Sequence, residues 1–293
     1  LVVDPPGLVR AFDPNLWCDP QGRLWFFWAQ SYGSFDGRFG VWMSRCDAPA
    51  APGMSWTAPR RLGHGIMLNK PTVLRTGEWL FPAALWAPSG WLPADNPAFA
   101  HCADLHSERF SNVYVTRDQG ESFALLGRAE VPERVFDEHM IVERRDGSLW
   151  MLVRTLYGLG ESVSTDRGKT WSPGQDSGLG GPCSRFFIRR LQSGRLLLVN
   201  HHEFTGRNNL TALLSEDDGA TWPHRLRLDE RNDVSYPDGF QDPEGIIHII
   251  YDRERYGAKE ILLASFTEQD VQAGQPVTAA CRLKRLVNRV PSA

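Results

Sequence analysis

The stretches that decide the fold are "ESVSTDRGKTWS" (residues 161–172) and "ALLSEDDGATWP" (residues 212–223). Both spell Ser-x-Asp-x-Gly-x-Thr-Trp, and a looser copy, "YVTRDQGESFA" (residues 114–124), stands upstream. The leading Ser or Thr falls at Thr116, Ser164 and Ser215, spacings of 48 and 51 residues. The same phase reaches Ser265 in "EILLASFTEQDV", where the Asp turn is lost. It also reaches Ser44 in "GVWMSRCDAPAAPGMSW", where the turn is stretched before Trp56. In each full copy the Asp carboxylate is expected to accept backbone N–H groups of its own turn. Gly168 and Gly219 supply a positive φ, and Trp171 and Trp222 pack between neighbouring sheets. The stamp therefore reads as a brace on a hairpin; a calcium or sugar site at these turns is the functional alternative.

A second landmark runs in phase with the first. A turn glycine followed by an apolar strand recurs at Gly22, Gly77, Gly147, Gly194 and Gly245, with a Pro- and Trp-rich insert (residues 87–110) in the longest step. Each unit reads strand, Gly turn, strand, loop, strand, Asp turn, strand, and no helical stripe of ten residues appears. Four strands in about fifty residues mark a β-propeller blade. Five units are legible, and the ends (residues 1–10 and 276–290) are expected to pair into one more. The expectation is an all-β, six-bladed β-propeller of four-stranded antiparallel blades, five-bladed as the fallback, in a single domain over residues 1–293. Pairing of the termini would remove exposed sheet edges.

Composition narrows the function. The 293 residues are 42% hydrophobic and 23% charged, ample for a large core. A formal charge of -3 argues against a generally nucleic-acid-binding surface. No apolar run reaches membrane-spanning length. The cysteines Cys18, Cys46, Cys102, Cys183 and Cys281 form no Cys-x-x-Cys pair, so neither a structural zinc site nor a disulfide scaffold is expected. No metal or cofactor is assigned. The eleven Trp suit a core better than a cleft. The start at Leu1, with neither Met nor a signal-like segment, favours a secreted or periplasmic protein whose targeting segment has been trimmed. Oligomeric state is left open.

In a propeller the first strand of each blade lines the central channel. Aligned on their Gly turns, those strands begin with "FDPNLW" (Asp13, Asn15), "LNKPTV" (Asn69, Lys70), "FDEHMI" (Asp137, Glu138, His139), "CSRFFI" (Ser184, Arg185) and "SYPDGF" (Tyr236, Asp238). Each has polar groups where a buried strand wants apolar ones, so one shared site is expected there. The second strands end in "VRTLYG" (Arg154, Tyr157), "VNHHEF" (Asn200, His201, His202, Glu203) and "YDRER" (Asp252, Arg253, Arg255). The bland readings are ion pairs of Arg154 with Glu161 and of Arg253 with Asp252, and a hydrogen-bonded loop histidine at His201. Neighbours on a strand face opposite ways, so the run from His201 to Glu203 cannot all ligate one ion.

"STDRGKTW" and "SEDDGATW" at blade spacing resemble the Asp boxes of the sialidase superfamily, and "SYPDGFQDPEGIIHIIYDRER" resembles its last blade. The likeness covers nearly the whole chain; Asp boxes also occur in propellers without glycosidase chemistry. The resemblance implies an exo-acting glycosidase for a terminal acidic sugar, with an arginine triad on the sugar carboxylate, a tyrosine nucleophile helped by a carboxylate, and an Asp acid/base. A guanidinium meets a carboxylate bidentately, and a neutral phenol avoids the repulsion a carboxylate nucleophile would meet at an anionic anomeric centre. Carried over, this makes Tyr236 the nucleophile and Glu138 or Glu161 its helper, with Asp137 or His139 as acid/base. Arg154, Arg185 and Arg253 form the clamp, with Lys70, His201 and Asp238 as further substrate contacts. The chain departs from the family in having "VRAFDPNLW" where an Arg-Ile-Pro or Arg-Val-Pro is expected, and in "FDEHMI". A hydrolase for another acidic sugar, a uronate lyase using His139 or Tyr236, and a non-catalytic glycan-binding propeller are the alternatives. The expected partner in every case is a glycan, anionic in the leading reading.

Overall fold

The computed structural model describes residues 3–32, 37–88, 94–96 and 102–290. Much of the Pro- and Trp-rich insert, residues 1–2 and residues 291–293 lie outside the described residues. The fold is all-β and of the five-bladed propeller class, with five four-stranded antiparallel sheets among the described residues.

The first sheet is β1 (Val9–Cys18), β2 (Leu24–Tyr32), β3 (Gly40–Cys46) and β4 (Arg60–Gly63). The second is β5 (Thr72–Val73), β6 (Trp79–Ala84), β7 (Ser111–Thr116) and β8 (Ala124–Ala129). The third is β9 (Met140–Glu143), β10 (Leu149–Thr155), β11 (Gly158–Ser164) and β12 (Gln175–Asp176). The fourth is β13 (Phe187–Arg190), β14 (Leu196–His201), β15 (Leu210–Ser215) and β16 (His224–Asp229). The fifth is β17 (Val234–Gln241), β18 (Ile247–Arg253), β19 (Glu260–Phe266) and β20 (Arg282–Arg289).

The expected sixth blade is corrected to five, because both ends of the chain are already spent. Residues 9 and 10 begin β1, and the segment 282–289 is the outer strand of the fifth sheet, paired along β19. The last unit runs long because its missing Asp turn is replaced by a short helix, α1 (Glu268–Ala273). Thr267 caps α1 by accepting from the Asp270 N–H, while the Asp270 carboxylate accepts back from the Thr267 N–H. Gly274 closes α1 in the left-handed region at φ 70°.

The chain divides into two compact units, residues 1–155 with 160–175 and residues 156–159 with 176–293. In the first, period-two alternation puts Trp25 and Phe27 on one face of β2, where they pack with Trp17, Trp79 and Phe81. Leu80, Val113 and Val115 then pack with Ile141, Leu149 and Met151, and Leu126 and Trp171 cover them. Burying each such side chain contributes about 1.5–3 kcal/mol. In the second unit Leu196, Leu198, Ala212, Leu214, Ile249, Leu262 and Phe266 are buried.

The Asp boxes brace their turns as the sequence leads one to expect. Asp166 accepts from the Thr170 N–H (2.9 Å) and hydroxyl (2.6 Å), and the Ser164 Oγ accepts from the Gly168 N–H (2.8 Å). Asp217 with Thr221 and Ser215 repeats these bonds, as does Asp118 with Ser122 and Thr116. Gly168 and Gly219 hold φ 87° and 93°. Gly127 on β8 serves a different need: a Cβ there would lie 2.1 Å from the Gly168 carbonyl oxygen, so the absence of a side chain lets the second sheet approach the box of the third.

Candidate active site

One regularity organises the polar groups. Asp13, Glu138, Arg185 and Tyr236 each stand nine residues before the turn glycine of their sheet, so four of five sheets carry an ionisable residue at one structural position. Asp13 (φ 52°), Glu138 (φ 42°) and Tyr236 (φ 58°) are also left-handed there, a costly backbone state for residues other than glycine. Asp13 and Tyr236 precede prolines, and a proline cannot donate to the ladder. The pairing register accordingly shifts between Phe12 and Asn15 in β1 and between Ser235 and Asp238 in β17. The bulge turns the intervening side chain out of the alternation of its strand.

In the second unit the bulge presents Tyr236, half-buried, to two guanidinium groups. Arg255 lies 4.3 Å from the ring centroid and Arg207 5.7 Å. Arg255 is exposed and is fixed by Asp252, which accepts from its Nε at 2.8 Å; the Ser235 hydroxyl donates to the same carboxylate at 2.6 Å. Arg207 is anchored by donation to the Cys183 carbonyl (3.0 Å). Two residues along β17, Asp238 lies 3.6 Å from Arg185. A phenol, two carboxylates and three guanidinium groups thus stand on neighbouring segments of one unit. That set can bind an anion, hold hydroxyls and carry a proton or a covalent bond at the phenol oxygen.

In the first unit the run from Phe136 to Glu138 is left-handed at three consecutive residues. Here the predicted residues are sealed: Asp137, Glu138, His139 and Arg154 are all buried. Arg154 donates to Glu138 at 2.9 Å, not to Glu161 as the bland reading has it. Asp137 accepts from the Ser111 hydroxyl (2.8 Å) and faces Arg134 at 3.3 Å. Burial pushes its carboxyl up to about 6, against the pull of Arg134 and Ser111. His139 Nε2 faces the Asn112 carbonyl at 2.8 Å, which makes Nε2 the protonated nitrogen, and burial lowers the imidazole to about 4. Asn69 ties the segment down by donating to the Glu138 and His139 carbonyls.

These shifts set a pH dependence. His201, buried in the second unit with Nδ1 on the Asn208 carbonyl, is likewise lowered to about 4 by burial. Between about pH 6.5 and 4 the unfolded chain takes up protons at both imidazoles before the folded chain does, so acidification removes stability. Asp137 works the other way, because its raised carboxyl binds a proton in the folded chain first and adds stability as pH falls through about 6. Two groups oppose one, so the urea midpoint is expected to fall from pH 7 to pH 4.5. It is expected to fall more steeply in Asp137→Asn, and a flat profile in both proteins would refute the assignment.

The remaining predicted residues are Lys70, Glu161 and Arg253. Lys70, half-buried, precedes β5 in the first unit. Glu161 on β11 accepts from Trp150 Nε1 (2.7 Å) and Gln175 (2.9 Å). Arg253 pairs with Glu254 and Glu260, not with Asp252, and Glu260 is shared with Arg289 and Arg231. It therefore braces β18 to β19 and β20. No cluster of three metal-binding side chains occurs among the described residues.

A family model described as a BNR repeat-like domain matches residues 10–249. The chain belongs to the BNR repeat-like domain family. No curated protein matches its sequence. Solved structures with the same fold include a Hadza microbial sialidase, at 18% identity and TM-score 0.68 over 90% of this chain and 54% of that one. The intramolecular trans-sialidase from Ruminococcus gnavus aligns at 13% identity and TM-score 0.65, over 94% of this chain and 81% of the other. A protein of unknown function from Dyadobacter fermentans aligns at 18% and 0.60, over 83% and 72%. The BNR repeat-like chain thus spans about half the length of the first of these. At such identities the likeness establishes the fold.

Sequence reasoning missed several residues that the BNR repeat-like fold brings to its predicted ones: Arg207 at Tyr236, and Arg134 and Ser111 at Asp137. Arg207 lies in a loop without periodicity, so nothing in the sequence marks it. The nine-residue offset from the turn glycine was legible, and it marks Asp13, Glu138, Arg185 and Tyr236 without reference to any relative.

Proposed function

We propose that this chain is a glycoside hydrolase that removes a terminal acidic sugar from a glycan in the manner of a sialidase. The observation that carries this reading is the bulge that places Tyr236 in a left-handed conformation beside Arg255 and Arg207. Arg185, Arg207 and Arg255 receive the sugar carboxylate, since planar guanidinium groups bind carboxylates in paired hydrogen bonds. The Tyr236 oxygen attacks the anomeric carbon as the glycosidic C–O bond breaks. The phenol proton passes to a neighbouring carboxylate, Asp238 or Asp252, which hands it on to the departing oxygen. Water then cleaves the tyrosyl bond and restores the phenol. Tyrosine nucleophiles are the recognised sialidase exception among glycosidases. The family match and the sialidases among the solved structures of this fold support the reading. In this reading the sealed residues Asp137, Glu138, His139 and Arg154 hold the fold and take no part in bond breaking.

The same phenol between guanidinium groups favours elimination from a uronate as the second reading, with Tyr236 moving the proton beside a neutralised carboxylate. One assay separates the two. The protein is incubated with a panel of α-sialosides and uronate-ended oligosaccharides, and the products are identified. Release of an intact acidic monosaccharide is expected. An unsaturated uronate product would establish the lyase, and binding without turnover would reduce the chain to a glycan-binding propeller.

A further inference from the structure

The three Asp boxes brace their turns alike but carry different charges. The variable positions after the Asp hold Arg167 and Lys169 in the third sheet, Asp218 and Ala220 in the fourth, and Gln119 and Glu121 in the second. Beside the basic box, within the first unit, lies a groove of about 380 Å³, inside the range of small-molecule pockets, roughly 300–1,000 Å³. Its apolar lining includes Leu80 and Leu126, and its polar lining is Glu78, Arg117, Thr165, Asp166, Arg167 and Lys169.

The charges in this lining are unevenly satisfied. Arg167 lies 3.9 Å from Glu78, whereas Arg117 and Lys169 make no ion pair among the described residues. Asp166 stays ionised, its carboxylate held by Ser164, Lys169 N–H and Thr170, so three cations face two carboxylates and one positive charge is in excess. Glu78 Oε2 is buried and lacks a hydrogen-bond donor. The Thr76 hydroxyl and the Glu78 backbone, with Arg167 and Arg117 further off, hold that carboxyl below its usual range.

We propose that this groove is a second, non-catalytic site for a carboxylated sugar. Arg117 and Lys169 take the carboxylate, a ring hydroxyl donates to the accessible edge of the Glu78 carboxylate, and the apolar face of the ring lies over Leu126. A hydroxylated ring with one negative charge matches both the excess of cations and the acceptor at Glu78. A neutral sugar satisfies only the acceptor, and a simple anion only the cations. Such a site would hold a second residue of an acidic glycan on the outer strands. It requires no turnover, so it stands or falls separately from the proposed reaction.

The test is amide chemical-shift titration of the full chain with methyl β-glucuronoside, and with methyl β-glucoside as the neutral counterpart. Glucuronoside is expected to shift the amides of Arg117 and residues 165–169, and glucoside to bind at least tenfold more weakly. Arg117→Gln combined with Lys169→Gln is expected to weaken glucuronoside at least tenfold while the Asp-box amides keep their positions, since neither side chain takes part in the turn. Tyr236→Phe is expected to leave this titration unchanged. Shifts confined to other residues, equal affinity for the two glycosides, or full affinity in the doubly substituted protein would overturn the proposal.

Discussion

Tyr236→Phe is expected to lower turnover of an acidic glycoside by on the order of 10⁴-fold or more, because removal of a nucleophile eliminates the covalent route and leaves only binding and orientation. The substitution is conservative for the fold. The ring that Arg255 and Arg207 flank is retained, and so are the bulge and Pro237 behind it. Glycan affinity in Tyr236→Phe is accordingly expected to stay within a few-fold of the parent. Arg207→Met is expected to show the opposite pattern, a raised KM with a smaller change in kcat, since it removes a contact made in the ground state as well. Turnover that survives in Tyr236→Phe would take the phenol out of the chemistry. Loss of affinity and turnover together would recast Tyr236 as a sugar-binding residue.

Arg154→Met is expected to destabilise the first unit by about 3–5 kcal/mol, the cost of leaving a buried carboxylate without its partner. Side chains of Arg154 and Glu138 are each 2% exposed, and the pair is joined at 2.9 Å. Arg154 also lies 5.1 Å from the Phe136 ring, and its N–H donates to the Asp137 carbonyl, so the pair fixes the left-handed run that precedes β9. Adding Glu138→Gln to Arg154→Met is expected to recover part of the loss, because the stranded charge is gone. Urea unfolding of the parent, the single and the double variant gives the comparison. A single variant within about 0.5 kcal/mol of the parent would show that the pair contributes as little as an exposed one.

Legibility differed between the turns and the site for physical reasons. An Asp box satisfies its own backbone within eight residues, so its bonds follow from local sequence, and the structure shows them at Asp118, Asp166 and Asp217. The blade count depended on how the ends were spent. A fourth strand at residues 282–289 follows a helix instead of an Asp turn, so the repeat could not reveal it. Candidate site residues were legible as polar groups at strand starts, but not their burial. Asp137 and His139 read as ready acids and bases, and the structure shuts them in with Ser111, Arg134 and Asn112. Arg253 read as an anion clamp, and its guanidinium is instead occupied by Glu254 and Glu260.

By itself the sequence determined the all-β class, the four-strand unit, the braced turns and the position from which four of the five sheets can project an ionisable group. Those properties rest on contacts a few residues apart, and a repeat displays them several times over. Only the tertiary structure decided the number of sheets, which charged groups are neutralised by buried partners, and which cations come to Tyr236. Those depend on residues far apart in the chain, where the side chain that wins an arginine is settled by packing and desolvation and leaves no spacing to read.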